Sequence, residues 1–216
     1  MNSSLILSVT TFVYGLAASL YLAAWVYHKK QLNHWATWVV VVGIAGNTAG
    51  FVLRWVESYQ MGIGRIPLSN LYESLVFFSL MIALIYLVIE SKYGHQLIGA
   101  FAMPLAVLSM AYASLSPNIN DRIQPLLPAL KSNWLTVHVI TCFIGYAAFA
   151  IAFGLALMYL IKRGDGHNEG TLSSRVPKRR ILDDLTHQMV LFGFLFLSAG
   201  IISGAVWANS AWGRYS

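Results

Sequence analysis

Six long apolar runs divide the chain, and short polar stretches separate them. A membrane-spanning helix needs about 20 predominantly apolar residues to cross the hydrocarbon core, and each run reaches or approaches that length. The runs cover residues 5–27, 35–56, 71–89, 97–114, 134–161 and 187–207. This pattern predicts an all-α protein, a polytopic transmembrane bundle of about six helices. The fourth run is short and contains Pro104, so a re-entrant segment is the alternative there.

The composition fits a membrane protein and excludes a soluble one. Hydrophobic residues make up 57% of the 216 residues and charged residues only 10%, too few to cover the surface of a soluble domain. The net charge is +6, but no basic patch interleaved with aromatic residues is present, so the expected partner is the lipid bilayer and not nucleic acid. Cys142 is the single cysteine, which excludes an internal disulfide and a dithiol redox cycle within this chain.

The basic residues between the runs predict the orientation in the membrane, because cytoplasmic loops are enriched in Lys and Arg. One set of loops contains nine of them: Lys29, Lys30, Lys92, Lys162, Arg163, Arg175, Lys178, Arg179 and Arg180. The other set contains five: Arg54, Arg65, Arg122, Lys131 and Arg214. This difference predicts that the first set is cytoplasmic and that both termini lie outside.

Small residues at four-residue spacing predict where helices pack closely. Gly46 and Gly50 have this spacing in the second run, and Gly200 and Gly204 have it in the sixth. Small side chains let helix backbones approach each other where lipid offers no hydrophobic force for association. These motifs predict a packed bundle and carry no chemistry of their own.

Among the six histidines, only His138 falls on the outer side of this topology. The inner end of the fifth run is marked by Lys162 and Arg163, and a core of about 20 residues counted back from there reaches Cys142. His138 is then about one turn above the core, either simply hydrated or facing an external cavity. If His138 bound the iron of a b-type haem, a second axial ligand would be needed on the opposite face of the porphyrin. Since no other histidine shares this depth, a second ligand would come from outside the chain.

A polar cluster opens the third run, in residues 64–74. Ser69 or Asn70 can cap the helix, and a carboxylate at Glu73 suits the first turn because of the helix dipole. The functional alternative is a polar anchor, with Glu73 paired to Arg65 or Arg54, that shapes an external cavity.

An aromatic cluster follows the sixth run and includes Trp207, Trp212 and Tyr215. Tryptophan and tyrosine at a membrane interface are usually belt residues. The alternative is an aromatic platform for a flat, apolar ligand.

Four motifs, in order along the chain, carry a family resemblance. They are Pro-Leu-Ser-Asn-Leu-Tyr-Glu-Ser at 67–74, Asn-Trp-Leu-Thr-Val-His-Val at 133–139 followed by Gly-Tyr-Ala at 145–147, Leu-Asp-Asp-Leu at 182–185, and Gly-Ala-Val-Trp-Ala-Asn-Ser-Ala-Trp-Gly-Arg-Tyr at 204–215. Together they resemble the CcsA-type haem-handling proteins (ResC, or CcsB in Gram-positive naming) of system II cytochrome c assembly. The resemblance covers essentially the whole chain.

The resemblance implies cytochrome c-type biogenesis, with haem b bound as a substrate in transit at an external tryptophan-rich site. His138 matches an axial ligand of the haem iron, and Trp207, Trp212 and Tyr215 match residues around the porphyrin. Structural or cavity roles fall to Asn70, Tyr72, Glu73 and Trp134. The implied partners are a ResB-type membrane protein and apocytochrome c, whose thiols form the thioether bonds. The implied location is the cytoplasmic membrane, or a thylakoid-type one, with the haem site on the outer side.

The chain departs from the family at its end. The family's signature runs Trp-Gly-x-Tyr-Trp-x-Trp-Asp, and this sequence matches through Tyr215 and then has Ser216. We therefore expect residues 1–216 to form a single cytochrome c assembly membrane domain, incomplete at its C-terminus, that inserts but is inactive alone as part of a cytochrome c synthase (haem lyase) system. The alternatives are a small transporter or exporter, with Glu73 and His138 lining a polar path, and a non-catalytic membrane scaffold.

Overall fold

The computed structural model describes residues 2–126, 130–163 and 176–213. The helices are α1 (Ser3–Tyr27), α2 (Lys30–Gln60), α3 (Leu71–Tyr93), α4 (Gly99–Leu115), α5 (Asn133–Arg163) and α6 (Arg179–Trp212). A short 3₁₀ turn, Gln96–Ile98, leads into α4. Six helices are long and apolar enough to cross a membrane, which confirms the predicted all-α bundle. The chain is an integral membrane protein.

The fourth helix has the length of a membrane-spanning helix, not that of a re-entrant segment. Together with the preceding 3₁₀ turn it forms a 20-residue segment, Gln96–Leu115, that meets the length and composition of a membrane span. Pro104 lies inside the helix without ending it. The helix packs on α1 and α3, and Gly99 lets its first turn approach the rings of Tyr21 and Tyr86. Neighbouring helices of this kind are what make a proline tolerable within a membrane helix.

Close packing of α1 on α2 confirms the first glycine motif. A Cβ atom on Gly46 would lie 2.8 Å from the Thr10 hydroxyl, and one on Gly50 would lie 2.7 Å from the Leu7 side chain. One turn earlier Gly43 faces the ring of Tyr14 in the same way. The glycine face of α2 therefore extends beyond the motif that the sequence analysis identified.

Helix α6 lies at the edge of the bundle. It packs mainly on α5, and only 17% of its most apolar stretch is buried within the described protein. The residues buried on α6 include the small side chains Gly193, Gly200 and Ser203. Large apolar side chains such as Phe194, Leu195 and Ile202 are exposed on its other faces. The geometry of the α5–α6 interface therefore decides where the C-terminal end of α6 lies.

The antiparallel helices give the bundle two chemically different ends. One end carries the basic residues Lys29, Lys30, Lys92, Lys178, Arg179 and Arg180, and we call it the basic end. The opposite end carries the beginning of α1, α3 and α5 and the end of α2, α4 and α6. We call it the His138 end.

The orientation of these ends in the membrane is the first testable prediction. The excess of basic residues predicts a cytoplasmic basic end and an external His138 end. In a Cys142→Ala background, a cysteine at Arg122 is expected to react with a membrane-impermeant maleimide added outside intact cells. A cysteine at Lys178 should react only after the membrane is permeabilised. Labelling of position 178 in intact cells would reverse the orientation.

Candidate functional site at the His138 end

Glycines bring α5 and α6 into backbone contact and so position His138. A Cβ atom on Gly145 would lie 2.9 Å from the Gly193 carbonyl oxygen. Toward the His138 end, Gly200 faces Cys142, and Gly204 faces the imidazole of His138. The second predicted glycine motif thus forms the surface against which His138 packs.

The imidazole of His138 is held in one tautomer. Its Nδ1 atom lies 2.7 Å from the carbonyl oxygen of Gly200. A carbonyl oxygen only accepts hydrogen bonds, so Nδ1 carries the proton and donates it. In a neutral imidazole the lone pair is then on Nε2, the arrangement found in histidines that bind metals. The Ser203 hydroxyl donates to the same carbonyl at 2.9 Å and holds it from the other side.

Aromatic side chains lie where α5 and α6 reach the His138 end of the bundle. Trp134 precedes His138 by one helical turn, so both lie on the same face of α5, and 48% of Trp134 is exposed. On α6, Trp207 lies one turn beyond Gly204, on the face that meets α5. Its ring contacts that of Trp212 edge to face, with 4.8 Å between centroids. The structure therefore brings Trp134, Trp207 and Trp212 to the end of the helix pair that carries His138, whereas Tyr215 lies outside the described residues.

The other described histidines lie away from His138. They are His28, His34, His95 and His187, which belong to the half of the bundle toward the basic end. His167 is outside the described residues. Within the described ranges, no three His, Cys, Asp or Glu residues gather into a group that could hold a metal ion. A metal ion bound at His138 would therefore need most of its ligands from outside these residues. The iron of a haem meets this condition, because the porphyrin supplies most of its ligands.

A buried ion cluster centred on Glu73 forms the second part of this end. Glu73 is 1% exposed and pairs with Arg54 Nε at 2.9 Å and with Arg65 Nη1 at 2.7 Å. The backbone N–H of Ser69 donates to the same carboxylate at 2.9 Å. Asn70 caps α3 by accepting from the backbone N–H of Glu73 at 2.8 Å. The carboxylate is therefore saturated by protein groups.

The two arginines connect the cluster to the segment that follows α4. Arg54 donates to the backbone carbonyl of Asp121, and Arg65 donates to that of Gln124. The Arg54 guanidinium also lies over the Tyr72 ring, 5.0 Å from its centroid. The Tyr72 hydroxyl is buried and has no hydrogen-bond partner in the described structure. Sequence analysis suggested a pair of Glu73 with one of these arginines, but the charges alone could not show that both share one carboxylate.

A cavity of about 340 Å³ lies beside this cluster. Its walls come from the end of α2, the segment before α3, and the beginning of α5. Arg65, Leu135 and Val139 are among its lining residues, whereas His138 lies on the side of α5 that faces α6 and does not line it. The His138 end thus has two distinct features, the histidine and tryptophans between α5 and α6 and a separate cavity.

Comparison with known proteins identifies the family. The sequence pattern of the family described as "Cytochrome C assembly protein" matches residues 68–216, which include α3 to α6, the Glu73 cluster and His138. The chain belongs to the cytochrome c assembly protein family. Membership gives it a role in cytochrome c assembly, and the predicted resemblance is confirmed.

Relatives of the same family align with most of the chain. The cytochrome c biogenesis protein CcsA of Synechococcus sp. (strain CC9311) is 32% identical over 240 aligned positions, covering 97% of this chain and 77% of the relative. CcsA of Guillardia theta is 38% identical, covering 75% of this chain and 58% of the relative. CcsA of Chlamydomonas reinhardtii is also 38% identical, covering 76% and 46%. The chain therefore spans between about half and three quarters of the length of these relatives.

Proposed function

We propose that this cytochrome c assembly protein holds haem b, as a substrate in transit, at the His138 end and presents it for thioether attachment to apocytochrome c. The observation that carries the proposal is the hydrogen bond from His138 Nδ1 to the Gly200 carbonyl. It leaves Nε2 as the unprotonated nitrogen and fixes the ring, which is what an axial ligand of iron requires. The second axial ligand comes from outside the described chain.

The tryptophans provide the apolar part of such a site. A porphyrin is flat and apolar over most of its surface, and indole rings pack on such a surface with large buried area. Trp134 and Trp207 lie about one helical turn beyond the level of His138 and Gly204, and Trp212 contacts Trp207 farther along α6. The Glu73 cluster holds the neighbouring segments in place and does not contact His138. We assign it a structural role.

The apocytochrome supplies the reactive thiols. Each thioether forms when a thiol adds across a haem vinyl group, so a sulfur–carbon bond forms and the proton goes to the neighbouring vinyl carbon. This chain contributes no thiol, because Cys142 is single and buried. Its contribution is to orient the haem, which for an addition of this kind is mostly positioning. We propose that the chain acts with a ResB-type partner, at the external face of the cytoplasmic or a thylakoid-type membrane.

No specific observation favours either alternative function. The transporter hypothesis placed Glu73 and His138 along one polar path. Glu73 is saturated by two arginines and a backbone N–H, and His138 is bonded on the other side of α5. The two residues therefore do not line a common path in the described structure.

Maturation of a reporter cytochrome c tests the proposal. The chain is placed in a chimera in which it replaces the matching part of the Synechococcus relative, expressed with a ResB-type partner in a strain lacking its own synthase. We expect His138→Ala to abolish covalent haem attachment, detected by haem staining after denaturing electrophoresis. His28→Asn is the control, because asparagine tolerates the left-handed backbone at that position, φ 65°. Normal attachment in His138→Ala would refute the proposal.

A further inference from the structure

The cavity beside the Glu73 cluster has both polar and apolar walls. At the end of the bundle its lining includes the polar side chains of Arg65, Lys131 and Ser132 together with apolar ones such as Ile63 and Leu130. Deeper in the bundle it includes Trp55, five residues before the end of α2, and Val139, six residues into α5. At 1.5 Å per residue, these two side chains belong about 8–9 Å below the helix ends. The apolar lining therefore continues deeper along the helix axes than the charged lining does.

The polar part of the cavity is cationic. Arg65 and Lys131 are its charged lining residues in the described structure, and no carboxylate lines it there. Arg65 is 7% exposed, and three hydrogen bonds to Glu73 and Gln124 hold its guanidinium in place. A guanidinium has five N–H donors, so Arg65 keeps donors beyond these three. Lys131 is exposed, and its ammonium group stands on a flexible four-carbon stem that can bring it to an anion.

We propose that this cavity binds an anionic phospholipid, with the phosphate beside Arg65 and Lys131 and the upper part of an acyl chain along Trp55, Leu135 and Val139. A soluble anion would satisfy the cationic part but would leave the deep apolar walls facing water. A lipid satisfies both parts, because its head group carries the charge and its acyl chains are apolar. The site is separate from His138, so this inference does not depend on the proposed haem ligation.

The lipid would contact two segments on opposite sides of the cavity. The cavity separates the α2–α3 connection from the beginning of α5, and Ser132 caps that beginning by accepting from the backbone N–H of Trp134. A bound phosphate and acyl chain would fill the cavity and contact both of these segments. Trp55 lies in the deep wall, which provides a spectroscopic probe of the occupant.

Quenching of Trp55 by brominated lipids tests the proposal. Delipidated protein in detergent is titrated with brominated phosphatidylglycerol or with brominated phosphatidylcholine, and the Trp55 contribution is the difference between wild type and Trp55→Phe. We expect phosphatidylglycerol to reach half-quenching at about a fivefold lower concentration, since one basic residue near an anionic head group contributes on the order of that factor. Lys131→Gln should remove most of this preference, because Glu73 already balances the charge of Arg65. Lys178→Gln, at the basic end, should retain it.

Two outcomes would overturn the inference. Equal quenching of Trp55 by both lipids would show that the cavity does not recognise the anionic head group. A preference of undiminished size in Lys131→Gln would place the lipid elsewhere.

Discussion

Replacing Glu73 with glutamine is expected to destabilise the protein by about 3–5 kcal/mol, because it leaves two buried guanidinium groups without a carboxylate. Glutamine keeps the shape of the side chain and can still accept from the Ser69 backbone N–H. It cannot balance the charges of Arg54 and Arg65, whose side chains are 4% and 5% exposed. The measurement is thermal unfolding of the detergent-purified protein, followed by the fluorescence of the tryptophans.

Glu57→Gln is the matched control at the same end of the bundle. Glu57 is only partly buried, and its carboxylate accepts from the backbone N–H and the hydroxyl of Ser3, which are neutral donors. Its loss of charge leaves no buried cation unpaired among the described residues, so we expect a much smaller change in unfolding temperature. Equal changes for Glu57→Gln and Glu73→Gln would contradict the structural role assigned to the cluster.

Replacing Gly200 with alanine is expected both to loosen the α5–α6 interface and to weaken haem binding. The new Cβ atom would lie 2.5 Å from Cys142 Sγ and 3.2 Å from the Cys142 backbone nitrogen, so either the side chain or the helix must move. Overpacking of this kind typically costs about 1–3 kcal/mol. A displaced α6 also carries the Gly200 carbonyl away from His138 Nδ1, and the histidine then loses the bond that fixes its tautomer.

The controls for Gly200→Ala separate crowding from helix propensity. Gly15→Ala should be neutral or stabilising, because a Cβ atom there meets nothing within 4 Å and alanine favours a helix. Adding Cys142→Ala to Gly200→Ala should recover part of the stability and of the haem occupancy, since the closest contact is with the sulfur atom. Full haem occupancy in Gly200→Ala, despite a lowered unfolding temperature, would show that the Gly200 carbonyl does not position His138.

The six helices could be predicted from the sequence because their apolar runs are long and separated by polar residues. The predicted bounds were too short where polar turns continue a helix beyond its apolar run. Helix α2 was predicted as 35–56 and is Lys30–Gln60, and α6 was predicted as 187–207 and is Arg179–Trp212. No helix-breaking residue lies in these extensions, so the backbone remains helical outside the apolar part.

The contacts of the candidate site could be predicted only in part. Motif order indicated His138 and the tryptophans, and residue type indicated that Asn70 could cap α3. The sequence could not show that the Gly200 carbonyl accepts from His138 Nδ1, since that bond joins positions 62 residues apart and depends on the register of α5 against α6. Nor could it show two arginines on one carboxylate, because the spacing of Arg54, Arg65 and Glu73 is compatible with either pair alone.

The visible spectrum of the purified chimera tests ligation by His138 most directly. The chimera is purified with haem, and the Soret absorbance per protein is compared among wild type, His138→Ala and His28→Asn. The proposal predicts that His138→Ala loses most of the bound haem, that added imidazole restores part of it by occupying the vacant axial position, and that His28→Asn matches wild type. A Soret band in His138→Ala with the intensity and position of wild type would contradict it.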